Sequence, residues 1–240
     1  MILESNESNK EELTKEFQYE LLPEDYIKYD LNFKLIVVGK SGVGKTCLIN
    51  KAAKNMFEEN YYSTIGFEYC TFNIKIDETV IRLQIWDTCG QELYRALISN
   101  YYRNSSLAIL LYSIDSKDSF EDIEIWVREV RTNSSPDVKI FLIANKVDLE
   151  NERQVSKKEG EAYAKENKFD LFIEASAKNG FNAKNVFIKA AKILYDDYKK
   201  YNGDKKEEQN EEPANNEIKL ENKIEGPQIN KGEVKKKGCC

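Results

Sequence analysis

Residues 39–46 read GKSGVGKT and close the apolar run FKLIVVG. Glycines at this spacing free backbone N–H groups to point inward at phosphate oxygens, and a helix starting there adds its positive end. In a GxxxxGK[ST] loop the lysine, here Lys45, reaches the β- and γ-phosphates of a nucleoside triphosphate, and the Thr46 hydroxyl ligates Mg2+. The phosphate-binding residues are then Ser41, Gly42, Val43, Gly44, Lys45, Thr46 and Cys47. A plain glycine-rich turn is the alternative, and it leaves the Lys-Thr pair to chance.

Three further stretches carry compatible chemistry, each where an apolar run ends. In WDTCGQE, residues 86–92, Asp87 has the position of a carboxylate holding the Mg2+ shell. Gly90 lets its N–H approach a γ-phosphate, and Gln91 can orient an attacking water. In NKVD, residues 145–148, Asp148 offers two acceptor oxygens that match the two adjacent donors of guanine and nothing on adenine. A buried carboxylate left without donors is costly, so it selects the base. Asn145 would tether loops around that base and the Lys146 stem would cover its face. In EASAK, residues 174–178, a backbone N–H near Ala177 can serve the guanine oxygen, with Ser176 and Lys178 beside it. Any one of these is also an ordinary strand-to-turn sequence. Their order, each at a strand end, is what points to one ligand at one edge of an α/β sheet.

The elements that must position them are legible as alternation. FKLIVVG is a strand followed by a helix after Gly44. EYCTFNIKI and VIRLQIWD alternate around DET and form a hairpin. LAILLYSI and VKIFLIAN are continuous apolar runs, as central strands covered on both faces require. DLFIEAS is a last strand and AKNVFIKAAKILYDDY a last helix. Strands alternating with helices predict a mostly parallel sheet with helices on both sides.

Length and charge set the outer limits. The chain has 240 residues with 41% apolar content, enough for one domain with tails. Residues 1–30 hold three lysines and nine acids, which is the whole of the net charge of −6. The balanced remainder has no basic face for nucleic acid. There is no histidine, which excludes Ser-His-Asp triads, Cys-His pairs and HExxH zinc sites. Five cysteines without a CxxC pair argue against zinc and for free thiols in a reducing compartment. No signal-peptide core and no run near the roughly 20 apolar residues of a membrane span is present, so a cytoplasmic location is expected unless an anchor is attached.

Three regions follow. Residues 1–31 are an acidic N-terminal extension, either a short amphipathic helix through Leu13, Phe17 and Leu21 or a disordered leader. Residues 32–200 are the nucleotide-binding domain. Residues 201–240 are polar and mixed in charge, read as a flexible tail, and end in KKKGCC.

Taken together, residues 33–200 and the extreme C-terminus resemble the Rab family of the Ras superfamily of small GTPases. The resemblance implies a P-loop NTPase fold: a six-stranded, mostly parallel sheet with one antiparallel strand, flanked by five helices. It implies that GTP and GDP bind with Mg2+, that Phe57 packs on the guanine, and that Thr64 of YYSTIG coordinates Mg2+ and the γ-phosphate as switch I. Residues 87 to about 101 resemble switch II, and YYR, 101–103, a stretch typical of Rabs. Lys45, Thr64 and Gln91 would be catalytic; Thr46, Thr64 and Asp87 would hold the metal. Cys239 and Cys240 resemble the paired cysteines that take two geranylgeranyl groups, beside Lys235, Lys236 and Lys237. The resemblance further implies a GTP-hydrolysing switch in vesicle and membrane trafficking, held reversibly on the cytosolic face of an intracellular membrane. Its partners would be a GTPase-activating protein, an exchange factor, a GDP-dissociation inhibitor or prenylation escort, and effectors on the switch face, with no nucleic acid. Residues 58–64 contain no arginine, so hydrolysis should be slow until an activating protein supplies one. Lys40, Cys89, the GFEYC stretch, Leu93 and Tyr94 depart from the family pattern. A nucleotide-binding scaffold without hydrolysis, an ATP-using P-loop kinase and another branch of the superfamily are the rival readings.

Overall fold

The computed structural model describes residues 17–58, 67–88 and 101–208. Seven strands form one sheet: β1 Tyr19–Leu22, β2 Leu31–Val38, β3 Phe67–Ile76, β4 Thr79–Thr88, β5 Leu107–Ser113, β6 Lys139–Asn145 and β7 Leu171–Glu174. Their order is β1-β3-β4-β2-β5-β6-β7. β3 is antiparallel to both of its neighbours, while β4, β2, β5, β6 and β7 pair in parallel. β3 alone therefore runs against the rest.

Period-two alternation divides the core. Leu35 and Val37 of β2 point into one cluster with Leu48, Ile109, Leu111 and Phe187. Ile36 and Val38 point into the other with Leu110, Tyr112, Trp126 and Leu142. Side chains that alternate across a sheet buried on both faces must be apolar at every position, hence the unbroken runs. Helices cover both faces. α1 Lys45–Lys54 and α5 Ala183–Glu208 supply Leu48 and Phe187 to the first cluster. α3 Ile123–Asn133 and α4 Lys157–Glu166 supply Trp126 and Ala164 to the second, and the short α2 Lys117–Glu121 meets α3 at Asp122. Those five helices have both ends among the described residues; Tyr101 and Tyr102 are also helical. α4 starts with a reciprocal cap between Ser156 and Glu159. Gly160 is what lets α4 approach the sheet, since a Cβ there would stand 2.5 Å from the Tyr112 hydroxyl and 2.6 Å from the Phe172 ring.

Two expectations change. The sheet has a seventh strand, and it comes from the acidic extension: Tyr19–Leu22 pairs with Ile76–Asn73 on the outer edge of β3. The i, i+4, i+8 spacing that suggested a helix ends in an edge strand at Leu21, while Leu13 lies outside the described residues. A four-residue strand has no periodicity of its own to read; its partner decides it. Residues 23–30 continue the strap. The Asn73 amide donates to the carbonyls of Pro23 (2.8 Å) and Glu24 (3.1 Å), Thr71 donates to Glu24, Arg82 to Tyr26, and the Asp30 carboxylate accepts from Val80 N–H. The second change is at the other end, where α5 continues past Tyr201 to Glu208. The chain divides into two compact units, 1–201 and 202–240, the second described only through the end of α5. Among the described residues no helix is long and apolar enough to cross a membrane.

Candidate nucleotide site

The phosphate loop spans the gap between β2 and α1. Gly39, Gly42 and Gly44 have φ of 151°, 84° and 91°, values that L side chains rarely adopt. A Cβ at Gly39 would lie 2.2 Å from the Leu111 carbonyl oxygen, and one at Gly44 would lie 2.6 Å from the Asn145 amide nitrogen. The loop thus needs glycine at both ends for room as well as for backbone angle. Ser41 and Gly42 are exposed at its tip, and Val43 turns inward.

Lys45 arches back over the loop. Its ammonium donates to the carbonyls of Gly39 (2.9 Å) and Lys40 (3.1 Å), which leaves a cation held at the loop's centre. Thr46, one residue on, donates its hydroxyl to the Asp87 carboxylate at the end of β4. Both are buried, with 7% and 3% exposure. One carboxylate and one hydroxyl are hard oxygen donors, and a Mg2+ site completed by phosphate oxygens and water needs little more from protein. Burial, and then the Asp87 charge, push the Cys47 thiol up, so it stays neutral and packs against the core.

The residues expected to recognise a base stand at and just after the neighbouring strand ends. Asn145, the last residue of β6, is wholly buried. Its amide donates to Val43 O at 2.8 Å and its oxygen accepts from Ala177 N–H at 3.3 Å. It therefore ties the phosphate loop to the segment after β7. Lys146 has φ 63°, and its ammonium pairs with Asp115 at 3.6 Å; Asp115 also accepts from the Ser113 hydroxyl. Asp148, at the start of a 3-10 turn over Val147–Glu152, accepts from the Ser176 hydroxyl. Ser176 is fully buried and accepts in turn from Asn179 N–H. Lys178 is exposed beside them. Phe57 is half-buried and packs against the first core cluster.

The contacts join Thr46 to Asp87 on one side, and the loop before it through Asn145 to Ala177 on the other. Thr64, Gly90 and Gln91, together with Cys89, Leu93 and Tyr94, lie outside the described residues, as do Cys239 and Cys240. The sequence reading missed several supports. Thr88, whose hydroxyl donates to Val37 O at 2.8 Å, ties the end of β4 to β2 just before the loop. Arg153 donates to Glu174 at 2.9 Å and so fastens the turn after Asp148 to the strand before Ser176. Lys40 pairs with Asp122 at 3.1 Å. None carries a motif; each is a long-range pair that only the folded chain brings together.

A glycine cradle with its lysine, a Thr-Asp donor pair, and an Asn-Lys-x-Asp turn at the C-terminal edge of a parallel sheet define a P-loop nucleotide-binding protein of the guanine-selective kind. The Ras family model matches residues 34–196. The chain is also 37% identical over 213 residues to the Ras-related protein RABA1g of Arabidopsis thaliana, covering 88% of this chain and 95% of that one. It belongs to the Ras family, as a Rab-type small GTPase, and acts as a GTP-hydrolysing switch.

Proposed function

We propose that the chain hydrolyses GTP at the site described above and uses that reaction to control vesicle and membrane traffic. The observation that supports the residue assignment is Asn145, whose two hydrogen bonds join the loop at Val43 to the segment at Ala177, as one ligand shared by Lys45 and Asp148 requires. Ser41 to Cys47 hold the phosphates through backbone N–H groups, with Lys45 countering the charge that grows on the β–γ bridge. Thr46, Asp87 and Thr64 would hold Mg2+, which would supply charge neutralisation to the phosphates. Gln91 orients the attacking water and Gly90 N–H meets the γ-phosphate. Asp148 pairs with the guanine donors, a backbone N–H near Ala177 with its oxygen, and Phe57 and the Lys146 stem cover its faces, with Ser176 and Lys178 completing the wall. Loss of the γ-phosphate frees Thr64 and Gly90, and the switches relax.

Turnover without an activating protein is slow because residues 58–64 bring no arginine; one supplied in trans accelerates it by roughly 10³–10⁵. Two prenyl groups on Cys239 and Cys240, next to three lysines, hold the protein reversibly on the cytosolic face of an intracellular membrane. An exchange factor, a GDP-dissociation inhibitor or prenylation escort, and effectors are the remaining partners. The test is to identify the nucleotide that co-purifies and then to follow single-turnover hydrolysis. Bound guanine nucleotide, with slow phosphate release that Gln91→Leu abolishes, is the expected result. An adenine nucleotide, or hydrolysis indifferent to Gln91, overturns the assignment. Mass spectrometry of the C-terminus in cells tests the anchor, and an unlipidated tail refutes it.

A further inference from the structure

Lys40 stands inside the phosphate loop and its side chain leaves that loop entirely. Its ammonium lies 3.1 Å from the Asp122 carboxylate, and the two side chains are 36% and 30% exposed. Asp122 is the residue at which α2 ends and α3 begins. Its N–H donates to Asp118 O at 3.0 Å, and its carbonyl accepts from Ile125 and Trp126, so the backbone carrying the carboxylate is fixed. Trp126 anchors the same turn of α3 in the second core cluster. At the other end of the pair, the backbone carbonyl of Lys40 accepts from the Lys45 ammonium. One residue therefore links α3, through its side chain, to Lys45, through its backbone.

We propose that Lys40 is a positioning residue of the phosphate site. Its pairing with Asp122 fixes the loop backbone whose carbonyls aim the Lys45 ammonium, and so slows nucleotide release. The inference rests on the phosphate-loop reading given above. The charge logic is direct. Without Asp122, the ammonium of residue 40 would belong to a residue whose own carbonyl already holds a second ammonium, and like charges repel. Asp122 offsets the first. It also lies at the start of α3, where a negative charge favours the helix, so one carboxylate serves two partners. Because the pair is partly exposed, its effect is small and sensitive to salt.

The experiment uses the full-length chain loaded with a fluorescent GDP analogue in Mg2+ and follows its release. Lys40→Ala and Asp122→Asn each speed release by about two- to five-fold, and Lys40→Arg does not. The charge swap Lys40→Asp with Asp122→Lys returns the rate to within about two-fold of the parent, which lost packing alone would not do. The differences collapse in about 1 M salt, where the Debye length is about 3 Å. Single variants releasing at the parent rate, or a swap that merely multiplies the two single effects, overturn the proposal. Amide exchange across residues 39–46 of the nucleotide-free protein gives an independent reading. It rises in the single variants and recovers in the swap, and no change there is equally fatal. If the parent retains no guanine nucleotide, the assignment of the site fails, and the exchange measurement still decides the pair.

Discussion

The Asn145 side-chain amide donates to the Val43 carbonyl at 2.8 Å across 102 positions of sequence, and its oxygen receives the Ala177 N–H. Asn145→Ala leaves a buried carbonyl and a buried N–H without these partners, at about 1–3 kcal/mol for each orphaned group. Urea unfolding of the ligand-free protein should show that loss of stability. Guanine nucleotide affinity should fall more than tenfold, because the two halves of the site lose their tie. Unchanged affinity in a destabilised variant would show that Asn145 matters to the fold and not to the ligand.

Asp87 tests the metal side. Only 3% exposed, it carries a carboxylate that costs free energy to bury, so Asp87→Asn should leave the ligand-free protein at least as stable. The same change removes the anionic side chain proposed to hold Mg2+. Nucleotide release should become fast and insensitive to EDTA, whereas chelation accelerates release from the parent. If Mg2+ still slows release from Asp87→Asn by the same factor, Asp87 is no ligand.

Asn73 is 2% exposed and holds the N-terminal strap through two carbonyls while accepting from Arg82 at 3.1 Å. Asn73→Ala should cost about 1–3 kcal/mol. Hydrogen exchange should quicken at residues 19–22 and their partners 73–76, with residues 107–113 left protected. Equal acceleration in both regions would mean that the strap is not a separable unit.

Glu159 carries a pH signature. Its hydrogen bond from Lys117, and then those from Ser156, hold the carboxyl down to about 2 from an ordinary 4.5. A folded-state pKa below the unfolded one gives stability that is fully present above the unfolded value and is lost as pH falls toward the folded one. The melting-temperature gap between the parent and Glu159→Gln should be constant above about pH 5 and narrow steadily below it. A gap that widens on acidification contradicts this assignment.

Much of the candidate site was legible because the chemistry proposed for it is local. A loop that wraps phosphate needs glycine where φ is positive and lysine and threonine where the helix begins, and all of that falls within GKSGVGKT. The strands that end at each motif were legible too, since burial on both faces demands apolar residues at every position. The strap was not. Nothing in FQYELLPED distinguishes a strand from a frayed helix until the free edge of β3 is present to pair with it.

Sequence by itself determined which residues can do chemistry here, because loop geometry, metal-ligand type and base complementarity are properties of short segments. Tertiary structure alone decided what holds them in place: Asn145 to Val43, Lys40 to Asp122, Arg153 to Glu174 and Tyr19–Leu22 to β3. The reason is distance along the chain. A contact between positions tens of residues apart has no local signature, and it exists only once the hydrophobic core has fixed the strands that carry its two ends.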